Sequence, residues 1–325
     1  MLKEISINEI ENILIGQVED ASGATGCTVF VSKEGMPAGL DVRGGGPASR
    51  ESELLKPTAN AAVVHAIVLA GGSAYGLDAA GGVMQCLKDN GIGLDVAVTK
   101  VPLVVQSDLF DLTVASSDVY PDKKMGYEAT KTALNGGNYK DGNFGAGCGA
   151  TVGKWNGMDT CMKTGIGSCA VQLGQLKVGA VVALNALGDI YDYRNGRKVA
   201  GLLNNDKNAF VDAEELMYQK TEVVENRFTG NTTLAVVITN AKFDKTKLCK
   251  IASMGHDGYA RSIKPLHTTA DGDSIYAVST GEVMADIDVV GTLASRVISE
   301  AILKAVNSAE SAYGYPAASS LAFKK

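Results

Sequence analysis

The chain has 325 residues, 46% of them hydrophobic, which is ample for a substantial core and excludes an intrinsically disordered polymer. Thirty Lys and Arg against 36 Asp and Glu give a net charge of −6, and no basic cluster is long enough to track phosphates, so nucleic acid is excluded as a principal partner. The opening segment MLKEISINEIENILIG carries acids and lacks the pattern of a signal peptide, and every apolar stretch breaks well short of a membrane span; a cytoplasmic protein with no membrane partner is expected.

In chain order, residues 26–31 read as a strand and 63–69 as a second, ending at Gly71-Gly72-Ser73. Residues 74–87 place small and apolar side chains at helical spacing and stop at Asn90-Gly91, as a C-cap does. A strand at 94–98 and a short helix at 125–134, closing before Gly136-Gly137, come next. Four strands follow at 149–155, 167–173, 178–184 and 232–239, with glycine-rich joints. Between the last two, residues 191–230 are polar and rich in turns, with one helical piece at 213–219, and this is where a precursor loop is expected. A helix at 245–263, a strand at 274–279 and a long amphipathic helix at 286–309 complete the pattern; Ile287, Val290, Leu293, Val297, Ile302 and Leu303 lie on its apolar side. The tail from Tyr313 is expected to be loose at its end. Many strands with several long helices imply a layered α/β domain, with the strand order left open.

Six cysteines are scattered with no C-x-x-C pair, a spacing that favours free thiols over disulfides or zinc. His65, His256 and His267 offer no metal-ligand pattern, and His65 sits inside an apolar run as a core imidazole would. The 38 glycines exceed the ordinary share of about 7% and are clustered. In Gly145-Ala146-Gly147-Cys148-Gly149-Ala150-Thr151-Val152-Gly153-Lys154-Trp155 the spacing misses the phosphate-loop pattern, and Trp155 stands where Ser or Thr is needed. The same run leads into a strand where a dinucleotide fingerprint would open a helix. No nucleotide or other cofactor is expected; the glycines instead allow close backbone approach, with Lys154 delivered at the edge of a site.

Asn231-Thr232 lies between Arg227-Phe228-Thr229-Gly230 and the apolar run Leu234-Ala235-Val236-Val237-Ile238, and it reads as a self-cleavage junction. A Thr hydroxyl that attacks the preceding carbonyl forms an ester by N-to-O acyl shift, and water then releases a new N-terminus beginning with the nucleophile. The freed α-amine, with a pKa of about 7.7–8.0, serves as general base near neutrality without any histidine. Two plainer readings fit the same residues. Asn231-Thr232-Thr233 matches a glycosylation sequon, which conflicts with the expected compartment, and Gly230-Asn231 matches a turn into an ordinary strand. Further on, Asp271-Gly272-Asp273 precedes a strand; residues two apart on extended chain face one side, so both carboxylates either meet one spot or form a solvated turn. If they face Thr232, Asp271 orients the hydroxyl and α-ammonium while Asp273 supports it from behind.

Six segments in order resemble the DmpA family of self-processing aminopeptidases, which includes β-aminopeptidases and nylon-oligomer hydrolases. They are Asp41-Val42-Arg43-Gly44-Gly45-Gly46-Pro47 with Arg50-Glu51, Gly71-Gly72-Ser73-Ala74-Tyr75-Gly76-Leu77-Asp78, the run from Gly145 to Lys154, Asn185-Ala186-Leu187-Gly188-Asp189, Gly230-Asn231-Thr232-Thr233-Leu234, and Asp271-Gly272-Asp273. The resemblance implies a four-layer αββα sandwich, similar to N-terminal-nucleophile hydrolases but differently connected. It implies a single domain cut into residues 1–231 and 232–325, in an oligomer for which tetramers are common. The Asn-Thr junction is similar to that of the nylon-oligomer branch. By the same resemblance Thr232 is the nucleophile, Asn185 an oxyanion donor, Lys154 a charge partner, and Asp271 and Asp273 the paired acids. Phe110, Gly71, Ser73 and Tyr75 then fall at the substrate, with Phe110 in place of a tyrosine whose hydroxyl is lost.

The expected activity is release of N-terminal residues from peptides or small amides. The ornithine acetyltransferases, which share the fold and self-cleavage, are the alternative; their Ala-Thr junction and the signatures around Arg43 and Gly71 fit less well. An uncleaved binding protein with a dead site is the third reading.

Overall fold

Strands buried on both faces read as continuous apolar runs, and here they stack into two sheets between two helix layers. The computed structural model describes residues 2–219 and 230–322. Its strands are β1 (Lys3–Ile5), β2 (Leu14–Asp20), β3 (Thr25–Met36), β4 (Ala38–Val42), β5 (Ala48–Arg50), β6 (Val64–Ala70), β7 (Val104–Asp108), β8 (Ile166–Leu173), β9 (Leu176–Asn185), β10 (Thr232–Ala241) and β11 (Ser274–Val283), besides shorter ladders. One sheet runs β1-β8-β9-β10-β11-β4 and the other β2-β3-β6-β7-β5. Neighbours are antiparallel except β10 with β11 and β6 with β7.

Side-chain alternation assigns three cores. Leu234, Val236 and Ile238 of β10 meet Phe30, Ile67, Leu69 and Val105 between the sheets. Ala235 and Val237, one residue out of phase, face the helices α4 (Lys245–Ser262) and α5 (Ile287–Ser308). The second sheet turns Val29, Ala66 and Val68 toward α1 (Ala79–Asp89) and α2 (Lys123–Leu134). The order helix, sheet, sheet, helix is the αββα sandwich. Aspartates cap the helices: Asp122, Asp244 and Asp286 accept backbone N–H bonds at the starts of α2, α4 and α5. A fifth, short helix, α3 (Ala213–Tyr218), opens on Asp212 in the same way. Among the described residues no helix is long and apolar enough to cross a membrane.

Several expectations need correction. The strand expected at 94–98 is only Leu94–Asp95 paired with Lys100–Val101; the Asp95 carboxylate takes the Ala97 N–H, Ala97 sits at φ 69°, and the chain turns on the surface. The strand at 149–155 shrinks to Thr151–Val152 because Gly153, at φ 74°, turns the backbone away. The helix expected from residue 74 begins as a 3-10 turn, Ser73–Asp78, and becomes α only at Ala79. The tail packs as far as Leu321, with Ala317, Ala318 and Leu321 buried, while the end expected to be loose, residues 323–325, lies outside the described residues. So do residues 220–229, including Arg227-Phe228-Thr229 and most of the polar end of the expected loop.

Five strands of the sheets, the short β1 and β5 and the longer β2, β4 and β7, are not among the strands expected from the sequence. Gly16 in β2 and Gly39 in β4 look like breakers, but each lies under a helix. A Cβ at residue 16 would stand 2.1 Å from the Ala129 carbonyl oxygen, and one at 39 would stand 2.2 Å from the Cys249 nitrogen. In β7, Gln106, Ser107 and Asp108 are buried polar residues that hide a central strand.

α1 and α2 cross on two glycines. A Cβ at Gly82 would lie 1.7 Å from the Lys123 carbonyl oxygen, and one at Gly126 2.0 Å from that of Ala79. Alanine gains about 1 kcal/mol in helix propensity, but separating the helices costs about 2–3 kcal/mol. Gly82→Ala is therefore expected to lower stability by about 1–2 kcal/mol in urea unfolding; unchanged or raised stability would show that the helices move apart freely.

Candidate active site

Strand polarity gathers the site at one end of the six-stranded sheet. β10 and β11 are parallel, so their first residues lie together; β9 and β4 are antiparallel to them, so their last residues arrive at the same end. Thr232 opens β10 and pairs with Asn185, which closes β9. Asp273 immediately precedes β11, and Arg43 follows β4 beside it. Four segments far apart in sequence thus meet through register alone.

Thr232 is 4% exposed. Its hydroxyl donates to the carbonyl oxygen of Asn231, its own predecessor, at 2.5 Å. The same oxygen accepts the Gly272 N–H at 2.9 Å, within a parallel bridge between Asn231 and Asp271. Residue 272 must be glycine: a Cβ there would stand 2.6 Å from Thr232 Oγ1. The nucleophile candidate and a backbone donor therefore converge on one peptide carbonyl.

The turn carrying Gly272 is clamped from two sides. From the Arg43-Gly44-Gly45-Gly46 strap, the N–H groups of Arg43 and Gly44 donate to the Asp273 carbonyl and that of Gly46 to the Asp271 carbonyl. A Cβ at Gly44 would meet the Asp271 carbonyl oxygen at 2.3 Å, so the strap approaches too closely for a side chain. The carboxylates tighten the turn further. Asp271 accepts from the Thr268 N–H at 2.6 Å and the Thr268 hydroxyl at 2.7 Å, while Asp273 accepts the Thr233 N–H at 2.7 Å and the His267 N–H at 3.4 Å. Burial raises both acids above the ordinary carboxylate range, and for Asp273 the neighbouring Asp271 charge adds to it. Behind Asp273, His267 Nε2 lies 2.9 Å from His256 Nδ1, and His256 Nε2 3.1 Å from the Asp41 carbonyl. A carbonyl only accepts, so His256 donates from Nε2 and takes the His267 Nε2–H on Nδ1. Burial lowers both imidazoles to about 4, leaving the pair neutral.

Lys154 is buried and donates from Nζ to the Asn185 side-chain oxygen at 2.8 Å, the Asn185 carbonyl at 3.1 Å and the Gly230 carbonyl at 3.3 Å. Asn185 Nδ2 donates to the Phe110 carbonyl at 3.0 Å and reaches the Gly230 carbonyl at 3.5 Å. Burial lowers Lys154 to about 8, so it is mostly ammonium at neutrality. The Phe110 ring lies directly against Gly230. Thr232, Asn231, Asn185, Lys154, Phe110, Asp271 and Asp273 thus form one cluster.

Gly71, Ser73 and Tyr75 stand one step away. Gly71 presses on Asp111, whose Oδ1 accepts the Gly72 N–H at 2.8 Å, and the Ser73 N–H donates to the Leu109 carbonyl. They brace the turn that presents Phe110. Tyr75 is 62% exposed and stacks on Tyr120. Sequence reasoning missed Gly272 as a donor and the His256–His267 pair; the glycine between two acids and the His267-Thr268-Thr269 run before them were the available signals.

It also missed Lys163, which is fully buried with Nζ donating to the carbonyls of Gly147, Ala150 and Thr164. These bonds hold the glycine-rich run that delivers Lys154. Burial lowers Lys163 to about 7 from an ordinary 10.5. Between those values the unfolded chain keeps a proton that the folded chain has released, so stability rises with pH across that window. Lys163→Met is expected to cost about 3 kcal/mol through three orphaned carbonyls. It is also expected to flatten the rise between pH 7 and 9 by up to about 1.4 kcal/mol per pH unit in urea titrations; parallel curves would mean that Lys163 keeps its proton.

Comparison with known proteins gives the chain a family. Residues 6–319 match the model of peptidase family S58. An uncharacterised aminopeptidase of Mycobacterium leprae is 34% identical over 96% of this chain and 92% of its own. The 6-aminohexanoate-oligomer endohydrolase of Paenarthrobacter ureafaciens is 31% identical over 91% and 84%. Among solved structures, a Burkholderia β-aminopeptidase aligns with a TM-score of 0.63 at 18% identity, over 95% of this chain and 88% of its own. The L-aminopeptidase D-Ala-esterase/amidase of Ochrobactrum anthropi, described as a variant of the Ntn-hydrolase fold, aligns with a TM-score of 0.64 at 15% identity, over 94% and 86%. The chain belongs to peptidase family S58, the DmpA family, and is a hydrolase of peptide or amide bonds.

Proposed function

We propose that this hydrolase makes its own nucleophile by cutting itself between Asn231 and Thr232, and that Thr232 then cleaves amide bonds of peptides or small amides. The observation that carries the reading is the shared Asn231 carbonyl oxygen, which takes the Thr232 hydroxyl and the Gly272 N–H together. In scission Thr232 Oγ adds to that carbonyl carbon, and the Gly272 N–H takes the developing oxyanion. The hydroxyl proton passes to the Thr232 nitrogen as the C–N bond breaks to leave an ester, and water releases the Asn231 carboxylate and the free Thr232 hydroxyl beside its new amine.

In turnover the α-amine accepts the Thr232 hydroxyl proton and returns it to the leaving amine, and water cleaves the acyl-enzyme. Asp271, bridged to Asn231, is the carboxylate assigned to the released α-amine, with Asp273 supporting the turn behind it. Asn185 and Lys154 are assigned to substrate carbonyl groups. A homo-oligomer is part of the same proposal, on family resemblance alone.

Intact-mass measurement tests scission. The parent is expected as fragments 1–231 and 232–325, and Thr232→Ala as a single uncut chain with no amidase activity; a cut variant would reject Thr232 as nucleophile. Gly272→Ala keeps the N–H but puts a methyl group against the hydroxyl, and misplacing the nucleophile by about 1 Å is expected to slow scission about 100-fold. A mass time course at unchanged thermal stability checks it, and scission at the parental rate would count against the Gly272 role.

A further inference from the structure

Asn185 Oδ1 accepts the Lys154 ammonium at 2.8 Å and the Thr151 N–H at 3.1 Å, and its Nδ2 donates to the Phe110 carbonyl at 3.0 Å. A flipped amide would set its NH2 against two donors and its oxygen against an acceptor, so these partners fix its orientation. Together Lys154 and Asn185 reach the Gly230 carbonyl beside the junction, at 3.3 and 3.5 Å. Whatever holds the Phe110 carbonyl in place is therefore part of the machinery; this step rests on the self-processing reading above.

Asp111 carries the nitrogen of that Phe110 peptide group and is 1% exposed. Its Oδ1 accepts the Gly72 N–H at 2.8 Å, and its own carbonyl accepts the Val114 N–H. Oδ2 turns under Gly71, where a Cβ would stand 1.9 Å from it and 2.3 Å from the Thr25 hydroxyl oxygen. On its other side, a Cβ at Gly149 would stand 2.7 Å from Asp111 Cβ, in the glycine run that leads to Thr151 and Lys154. One side chain ties together the 71–72 turn, the 110–111 peptide and the Lys154 segment.

We infer that Asp111 is a positioning residue of this hydrolase: its carboxylate fixes the peptide that orients Asn185 and supplies a buried negative charge toward Lys154. The titratable groups that face it are Asp108 on its own segment and Lys154, Lys163 and Cys148 on the 148–163 segment. β3 brings the Thr25 hydroxyl, and the 71–72 turn brings a backbone N–H. Burial pushes Asp108 and Cys148 toward their neutral forms. It also raises Asp111, to about 6, against the Thr25 hydroxyl, the Gly72 N–H and the Lys154 charge, so Asp111 is a carboxylate at pH 8 and a carboxylic acid at pH 5. Burial lowers Lys154 to about 8, and Asp111 is among the charges that oppose the fall.

Mass time courses of scission between pH 5 and 8 test this on the full chain and need no substrate. Asp111→Asn keeps an oxygen for the Gly72 N–H but has no charge at any pH. It is expected to cut about tenfold more slowly than the parent at pH 8, the worth of about one pK unit, and within about twofold of it at pH 5, where Asp111 of the parent is neutral too. Thr25→Val removes a donor to the carboxylate and is expected to move the bend in the pH profile of scission upward by about one unit; it keeps the role open to refutation should Asp111→Asn fail to fold. A deficit that is constant from pH 5 to 8, no deficit at pH 8, or a bend that Thr25→Val leaves in place overturns the role of Asp111 and leaves self-processing standing. A parent chain that is never cut between Asn231 and Thr232 removes both.

Discussion

A single peptide oxygen, that of Asn231, organises this end of the molecule. It accepts one bond from the side chain that follows it and one from the backbone of a turn about 40 residues later. Both donors are placed by backbone register: the Thr232 hydroxyl by its position at the start of β10, and the Gly272 N–H by the parallel bridge to β10. A donor carried on a strand-linked turn has little freedom to reorganise, which is what electrostatic stabilisation of a developing oxyanion requires.

The surrounding residues serve that placement. Three N–H groups of the 43–46 strap fix the two carbonyls flanking Gly272, and the two carboxylates hold the turn to Thr268, Thr233 and His267. Two acids crowded in a buried turn repel each other, and burial further disfavours their charge; the raised affinity of Asp273 for a proton is the consequence. The neutral imidazole pair behind it adds no charge to the crowding. Lys154 supplies the counter-charge on the other side, held to Asn185 by two bonds.

Glycine has one recurring meaning across the fold. Gly16, Gly39, Gly82 and Gly126 let helices press onto sheets or onto each other, and Gly44, Gly230 and Gly272 let backbone, ring and hydroxyl approach at the site. Each position is defined by a neighbour distant in sequence. Gly16 and Gly39 stand inside β2 and β4 for this reason, in strands that no local pattern had marked.

The sequence by itself determined the layered α/β class, all the long helices, and the strands that are apolar without interruption, because periodicity and glycine stops are local signals. It also named Asn231, Thr232, Lys154, Asn185, Asp271 and Asp273, through the chemistry of the junction and a family pattern of six ordered segments. Tertiary structure alone decided strand order, and with it which strand ends meet. It alone decided that the Gly272 N–H joins the Thr232 hydroxyl on the Asn231 carbonyl, and that Lys163 and the two histidines stand behind the site. Those facts depend on register between segments far apart in the chain, and no local pattern encodes which backbone group will face which carbonyl once two sheets have packed.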